Sequence, residues 1–311
     1  MGREELVAAR REPLLAVVPY SSVRRFDATA VGQWFVTERW MNFGQLSNQL
    51  VFLAGEPRQP VEFLYSALGW DSQYFRFQAA RLQAVLFGSQ TGAEDLTRAV
   101  NQFKSVLRSA GTHHCYTEAT AADPRLLYAL GKAGWSMVET RLHYHHTDLQ
   151  NLADLRYAVR PAGEADAESV RMVSACNRNS FDRFHADPVF TPAQGNDFLG
   201  EYGAACVRGL ADAVFVPALP TPLDSFLAVS YPNADAERLQ TGLGRVVLTA
   251  VGANNRGWHR RLVSEALWHT RERGGGVVFM TTQATNRAVI RNSEALGSEL
   301  GGTTLICSVI L

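Results

Sequence analysis

The sequence predicts an α/β (α+β) chain that carries one structural unit twice. Three observations lead there. The first is length: 311 residues with 46% hydrophobic and 19% charged side chains exceed one average domain and give two domains a sizeable core each. The second is self-similarity, since "VNQFKSVLRSAGTHHCYTEATAADPRLLYALGKAGWSMVETRL" lies over "VSEALWHTRERGGGVVFMTTQATNRAVIRNSEALGSELGGTTL" without a gap. Val100 falls on Val263, Gly111 on Gly274, Gly134 on Gly297 and Leu142 on Leu305, each pair 163 residues apart. The third is the order of periods within both copies: a helix with apolar positions every three or four residues, a glycine, a short apolar strand, a polar turn, a second helix, a glycine and a final strand.

Along the first copy, "VGQWFVTERWMNFGQLSNQLVFLAG" (31–55) mixes helical and strand-like periods over a few residues and assigns no element firmly. The boundary is expected near residue 152, where "HHTDLQNLADLRYAVRPAGEADAESVRMV" gives a polar connection, then strand-like "RYAVRP", then an amphipathic helix. Domains of 1–152 and 153–311 follow. In the second, the pattern predicts strand 156–160, helix 163–178, a loop holding "FDRFHADPVF", helix 193–208 and strands 212–216, 225–230 and 244–251. Helix 258–273, strand 276–281, helix 286–296 and strand 303–310 complete it. Hairpin-like strands come first and helix-crossed strands later. "PALPTPLDS" and "PNADAERLQTG" carry turn residues without an apolar period and are expected as surface loops.

Charge narrows the function. Thirty Lys+Arg balance thirty Asp+Glu, which removes a general electrostatic case for nucleic acid or an anionic membrane as partner and leaves a small molecule. No stretch has the length and apolarity of a membrane span, and "MGREELVAARREP" lacks the apolar segment of a signal peptide, so a cytoplasmic location is expected. Cys115, Cys176, Cys206 and Cys307 stand far apart and read as reduced thiols, with no metal among the expectations. His143 and His145 share a strand face, but no third metal ligand accompanies them.

"LTAVGANNRGWHRRLVSEAL" is a strand, a loop and an amphipathic helix, the arrangement in which backbone N–H groups at a helix start hold a phosphate. Together with "FMTTQATNRAVIRNSEALG" and "YAVRPAGEADAESVRMV", it makes residues 156–311 resemble the GNAT superfamily of acyl-CoA-dependent N-acyltransferases. That resemblance implies tandem GNAT folds, each a mixed, mostly antiparallel central sheet flanked by helices, and acetyl-CoA or another acyl-CoA as cofactor. It further implies that the strand at Thr249, Ala250 and Val251 splays from its neighbour to pair with the pantetheine arm. The loop of Asn254, Asn255, Arg256, Gly257, Trp258, His259 and Arg260 would hold the pyrophosphate, with Asn286 as the asparagine of the closing helix.

The wider arrangement, with "WDSQYFRFQAARL" (70–82) in a degenerate first copy and "DRFHADPVF" (182–190) in the second, is similar to the TDP-fucosamine acetyltransferase group, which acetylates amino sugars. Arg76 stands where that group carries glycine, and Ser293 stands at the superfamily's tyrosine general acid.

These matches assign candidate roles. Val251 N–H is the expected oxyanion donor. His185 is the candidate base for the attacking amine, with Asp182 and Asp187 flanking it to fix its tautomer or bind an acceptor ammonium. Ser293 could at best orient a water or the departing thiol, because its hydroxyl is shorter and less acidic than a phenol. The expected activity is direct attack of a small-molecule amine, such as an amino sugar or a secondary-metabolite intermediate, on the thioester. Two alternatives stand beside it: a catalytically inactive GNAT-fold binding or scaffold protein, and a GNAT-fold enzyme with other thioester chemistry, either decarboxylation or acyl transfer from a carrier protein. The apolar end "LICSVIL" is either buried within the sheet or exposed at an edge that pairs with a second copy as a homodimer.

Overall fold

The computed structural model describes all of residues 1–311 except 154, 178 and 220. The predicted end of helix 163–178, and single positions of the 145–173 connection and the 217–225 loop, therefore lie outside the described residues. The chain divides into two compact units. Unit 1 is Met1–Arg141 with Gly302–Leu311, and unit 2 is Leu142–Gly301. The division differs from a single cut at 152 because the last ten residues join the first unit.

Unit 1 begins with helices α1 (Arg3–Ala9), α2 (Arg11–Ala16), α3 (Ala28–Gly32) and α4 (Arg39–Met41), the last two joined by a π-helical stretch, Gln33–Glu38. Residues 31–55, illegible by period, thus hold a helical run followed by strand β1. The order continues β1 (Gln49–Glu56), β2 (Gln59–Ala67), α5 (Gly69–Phe75), β3 (Gln78–Phe87), α6 (Ala93–Ser109), β4 (Thr112–Thr120), α7 (Pro124–Lys132) and β5 (Ser136–His146), whose residues from 142 onward belong to unit 2. β1, β2 and β3 are antiparallel neighbours, and β3 pairs with β4 in parallel across α6, as a helical crossover requires.

The apolar stripe of α6 (Leu96, Ala99, Val100, Phe103, Leu107) packs on Val61, Phe63 and Tyr65 of β2 and on Leu82, Val85 and Phe87 of β3. Phe103 stacks on Phe63 at 4.6 Å. The inward positions of β3 change parity between Leu82 and Val85. The cause is a β-bulge: Tyr65 faces Leu82 and Leu64 faces Ala84, so Gln83 is the extra residue.

Arg76 explains itself here. It terminates α5 in the left-handed region, at φ 59° and ψ 33°, where glycine is favoured because a Cβ is strained.

Unit 2 runs β6 (Val159–Pro161), α8 (Ala167–Cys176), α9 (Arg183–Ala186), α10 (Pro192–Ala205), β7 (Ala213–Pro217), β8 (Ser225–Ser230), α11 (Asn233–Leu239), β9 (Gly242–Val251), α12 (Trp258–Glu272), β10 (Gly275–Gln283) and α13 (Arg287–Ala295). β6 is shorter than predicted: Arg156 Nε and Tyr157 N–H, at its expected start, donate instead to the buried Glu265 carboxylate of α12, at 3.0 and 2.5 Å. "PNADAERLQTG" is not a loop throughout, since its good helix formers make α11 and Gln240 ends it at φ 50°.

β6, β7, β8 and β9 are antiparallel in succession, and β9 pairs with β10 in parallel. β8 is buried on both faces. Leu227 and Val229 meet α12 residues Leu262, Val263, Ala266 and Leu267, while Phe226 and Ala228 meet Val170 and Val173 of α8. Strand alternation therefore puts one helical layer on each side of the sheet.

The final strand, β11 (Glu299–Ile310), settles the alternatives left open for "LICSVIL". Its residues 304–310 pair antiparallel with His114–Thr120 of β4 inside unit 1, and Ile306 is fully buried. The strand lies within the sheet order, between β4 and β5, which is the first of the two alternatives. Both units are mixed α/β sheets with mostly antiparallel pairing, as expected.

Candidate cofactor cleft and its surroundings

The register of unit 2 opens a gap beside β9. Its parallel ladder with β10 runs from Gly242 and Gly275 only to Arg245 and Phe279, while its antiparallel ladder with β8 continues to Val251 opposite Ser225. The last residues of β9 are thus paired on one side alone. A bulge leaves Val247 unpaired, between Leu248 opposite Ala228 and Val246 opposite Val229. Gly252 N–H donates to Asp224 O on the β8 side at 2.7 Å. Backbone N–H groups alternate between the two edges of a strand, so Val251 N–H and Thr249 N–H face the open edge. Thr249 Oγ1 donates back to Phe226 O at 2.9 Å, and Ala250 is buried.

Beyond β9 the chain makes a single 3-10 turn, Ala253–Asn255, and enters α12 through Gly257 at φ 88°. That left-handed residue lets the chain turn directly into the helix. The loop is braced from below. Asn255 is buried and donates through Nδ2 to Ser225 Oγ at 2.9 Å, and Asn254 N–H donates to Asp224 Oδ2 at 2.9 Å. Asp224 is a residue that sequence reasoning passed over, because it lies in a turn with no motif. Gly252 exists for its sake: a Cβ there would come within 1.8 Å of Asp224 Oδ1.

The start of α12 has no side-chain cap and no acidic residue in its first turn. Arg256 is exposed beside it, and Arg260 reaches Ala295 O of α13 at 3.4 Å. An uncapped helix start carries unsatisfied N–H groups and partial positive charge, and the arginines there add to that charge instead of offsetting it.

Two loop residues differ from expectation. Trp258 is buried in the core with Leu262 and Tyr144, and it anchors α12 rather than lining the loop with its ring. His259 turns aside: its Nδ1 lies 3.1 Å from Asn292 Nδ2 of α13, and its Nε2 is buried with no hydrogen-bond partner. Burial lowers its pKa to about 4, so the ring is neutral at pH 7 and brings no charge to the loop.

On α13, Asn286 is the N-cap, accepting from Val289 N–H at 3.3 Å. Ser293 departs from its candidate role of orienting a water or the thiol: it is fully buried, and its hydroxyl donates to Val289 O one turn back at 2.7 Å. With that proton engaged inside the helix it neither meets a ligand nor orients a water. The tyrosine that does reach α13 comes from β5, where Tyr144 donates to Glu294 Oε1 at 3.2 Å.

The acceptor-side candidates are corrected as well. His185 sits on α9 with both ring nitrogens engaged, Nδ1 with Asp182 Oδ2 at 2.8 Å and Nε2 with Asn196 Oδ1 of α10 at 3.0 Å. Its side chain is only 5% exposed, and a Cβ at Gly195 would press to 2.9 Å from Nε2. Asp182 holds the imidazole as expected and also caps α9 through Phe184 N–H and His185 N–H, but Nε2 is not open to an amine. Asp187 is buried and accepts from Val189 N–H at 3.2 Å, so it presents no carboxylate to an ammonium.

His143 lies 3.2 Å from Thr281 Oγ1, and no group of three His, Cys, Asp or Glu suited to a metal occurs among the described residues. Burial pushes the Cys307 thiol up to about 11, which removes nucleophilic character at neutral pH. No helix among the described residues is long and apolar enough to cross a membrane.

No protein-family model matches the sequence, and no curated protein matches it significantly. Solved structures do match in fold. One is a GCN5-related N-acetyltransferase from Sphaerobacter thermophilus, 11% identical over 98% of this chain and 91% of that one, with a TM-score of 0.56. Another is a GCN5-related N-acetyltransferase from Kribbella flavida, 14% identical over 84% and 89%, TM-score 0.50. A tandem GNAT protein from the clavulanic acid biosynthesis pathway is 12% identical over 98% and 95%, TM-score 0.50. The chain has the fold of the GCN5-related N-acetyltransferases.

Proposed function

We propose that this chain is an acyl-CoA-dependent N-acyltransferase whose unit 2 binds the cofactor, most simply acetyl-CoA, along the open edge of β9. One observation carries the reading: the one-sided β9 ends directly at an uncapped, arginine-flanked helix start, so an extended arm and an anion are accommodated in a single line. Residues 153–311 are the second GNAT copy in this reading, and 1–152 the degenerate one.

The cofactor would supply an activated acyl thioester. The open-edge N–H group of Thr249 would pair with its arm, and those of Arg256 to His259 would hold its phosphates, with Gly257 shaping the turn. Val251 N–H polarises the acyl carbonyl and stabilises the negative charge that develops on its oxygen during attack. Asn286 is engaged as a cap and contributes through its remaining amide donor. With His185 and Ser293 both closed off, the amine loses its proton to water, and catalysis rests on positioning and on the oxyanion donor.

The acceptor is a small-molecule amine, with amino sugars within the class. Isothermal titration with acetyl-CoA, followed by thiol release with a panel of small amines, tests the reading. Binding together with amine-dependent thiol release supports it. Absence of binding would favour the scaffold alternative, and thiol release independent of any amine would favour other thioester chemistry.

A further inference from the structure

Unit 1 holds a cleft of about 380 Å³ that the acyl-transfer reading does not use. Its floor is made by the sheet. Gln49 of β1 pairs with Ser66 of β2, and Gln83 is the residue extruded by the β3 bulge. The bulge brings Gln83 Nε2 within 3.4 Å of Ser66 Oγ, and Ser66 is buried. The rim follows directly from the π-helical stretch Gln33–Glu38 and carries Arg39, Asn42 and Gln45. Bulges and π-helical turns both re-aim side chains at the cost of regular pairing, and here two of them border one cleft.

The rim is held to the floor. Gln49 Oε1 accepts from Gly44 N–H at 2.9 Å and from Leu46 N–H at 3.4 Å, and Gln45 Nε2 donates to Asn42 Oδ1 at 3.4 Å. These bonds engage one end of each amide. Asn42 Nδ2, Gln49 Nε2, Gln45 Oε1 and Gln83 Oε1 have no partner among the described residues, which leaves two donors and two acceptors around the cleft. Phe43 supplies a buried apolar wall. No carboxylate lines the cleft, and its one cation, Arg39, lies with its guanidinium 4.7 Å from the Trp40 ring centroid.

Hydroxyl groups each donate and accept, so a ring of them matches alternating amide ends better than a purely anionic or purely apolar ligand does. The volume is at the small end of ligand sites. We propose that this cleft binds a monosaccharide-sized polyhydroxylated ligand that is neutral or carries one carboxylate, the carboxylate pairing with Arg39. A protonated amine is disfavoured, because nothing in the lining compensates its charge. The proposal stands whether or not unit 2 transfers acyl groups.

Calorimetry and saturation-transfer NMR on the intact protein with glucose, glucuronate and glucosamine test it. Glucose and glucuronate should bind in the millimolar range, glucuronate more tightly, and glucosamine should bind least. Gln83→Leu should weaken both sugars about fivefold, the equivalent of one hydrogen bond. Arg39→Gln should remove the preference for glucuronate and keep glucose binding. Asn42→Ala with Gln45→Ala, both on the exposed rim, provides a second variant whose folding the floor does not govern, and it should weaken both sugars with an unchanged melting temperature. Absence of saturation transfer to all three sugars would overturn the proposal. So would equal binding of glucosamine and glucuronate, or unaltered affinity in the rim variant.

Discussion

The first turns of α6 and α12 resolve the same architectural position in opposite ways. Both helices follow a strand whose parallel ladder stops early, at Leu82 opposite Thr117 in unit 1 and at Arg245 opposite Phe279 in unit 2, and both strands carry a bulge in the antiparallel ladder on their other side. The entry to the helix differs. α6 starts from Gly92 in extended backbone, at φ −69°, with Glu94 and Asp95 in its first turn. α12 starts from Gly257 at φ 88° with no acid and with arginines on both sides. Neither start has a side-chain cap, but two carboxylates at a helix start offset its dipole and repel an external anion, whereas arginines reinforce its positive charge. The units therefore repeat one strand-and-helix arrangement and differ in the charge at the start of its helix. The extruded residue follows suit, being valine in unit 2 and the hydrogen-bonding Gln83 in unit 1.

The strongest way to break this contrast is at Gly252. Gly252→Ala forces Asp224 off Asn254 N–H, and acetyl-CoA binding by calorimetry should fall below detection, whereas Gly92→Ala in unit 1 should leave it intact. Equal effects of the two would remove the functional distinction between the helix starts. Acid offers a second test. His145, His259 and His269, all in unit 2, are held below the usual histidine range chiefly by burial. For His259 the folded value of about 4 lies below the unfolded value of 6.5, so the unfolded state takes up the proton first. Stability is full above pH 6.5 and falls as pH drops toward 4, by about 3 kcal/mol from this residue. Hydrogen exchange at pH 4.5 should show unit 2 opening before unit 1, and His259→Gln should reduce the difference.

His185→Ala should lower the melting temperature by several degrees, reflecting about 1–3 kcal/mol of lost hydrogen bonding to Asp182 and Asn196, while kcat changes little. A hundredfold fall in kcat with an unaltered melting temperature would restore the histidine as a base. The smallest effect belongs to unit 1: Arg76→Gly relieves a left-handed residue and should stabilise the protein by about 1 kcal/mol in thermal unfolding, with acetyl-CoA affinity unchanged.

Legibility followed the periodicity of the chain. Helices α12 and α13 and strands β8 to β10 stand near their predicted bounds because their apolar residues recur at 3.6 or 2, and because Asn286 and the glycines mark ends that local chemistry enforces. Residues 31–55 resisted because a π-helical stretch has neither period. Within the candidate site, the strand and loop were readable as strand, glycine and helix. The accessibility of His185 and Ser293 was not, since each is closed by a neighbour that periodicity does not specify: Asn196 on another helix for the first, and a carbonyl within its own helix for the second.

The sequence by itself determined that one α/β unit occurs twice, that the second copy joins a strand to a basic helix start through a glycine-bearing loop, and that the first has no such loop. These are local properties, fixed by spacing and by which residues tolerate positive φ. Tertiary structure alone decided three others: that the last strand completes unit 1, that β9 parts from β10 beyond Arg245, and that His259 folds away from the loop to meet Asn292. Each depends on which distant backbone or side chain offers the better hydrogen-bond partner, and residue spacing along the chain carries no record of that choice.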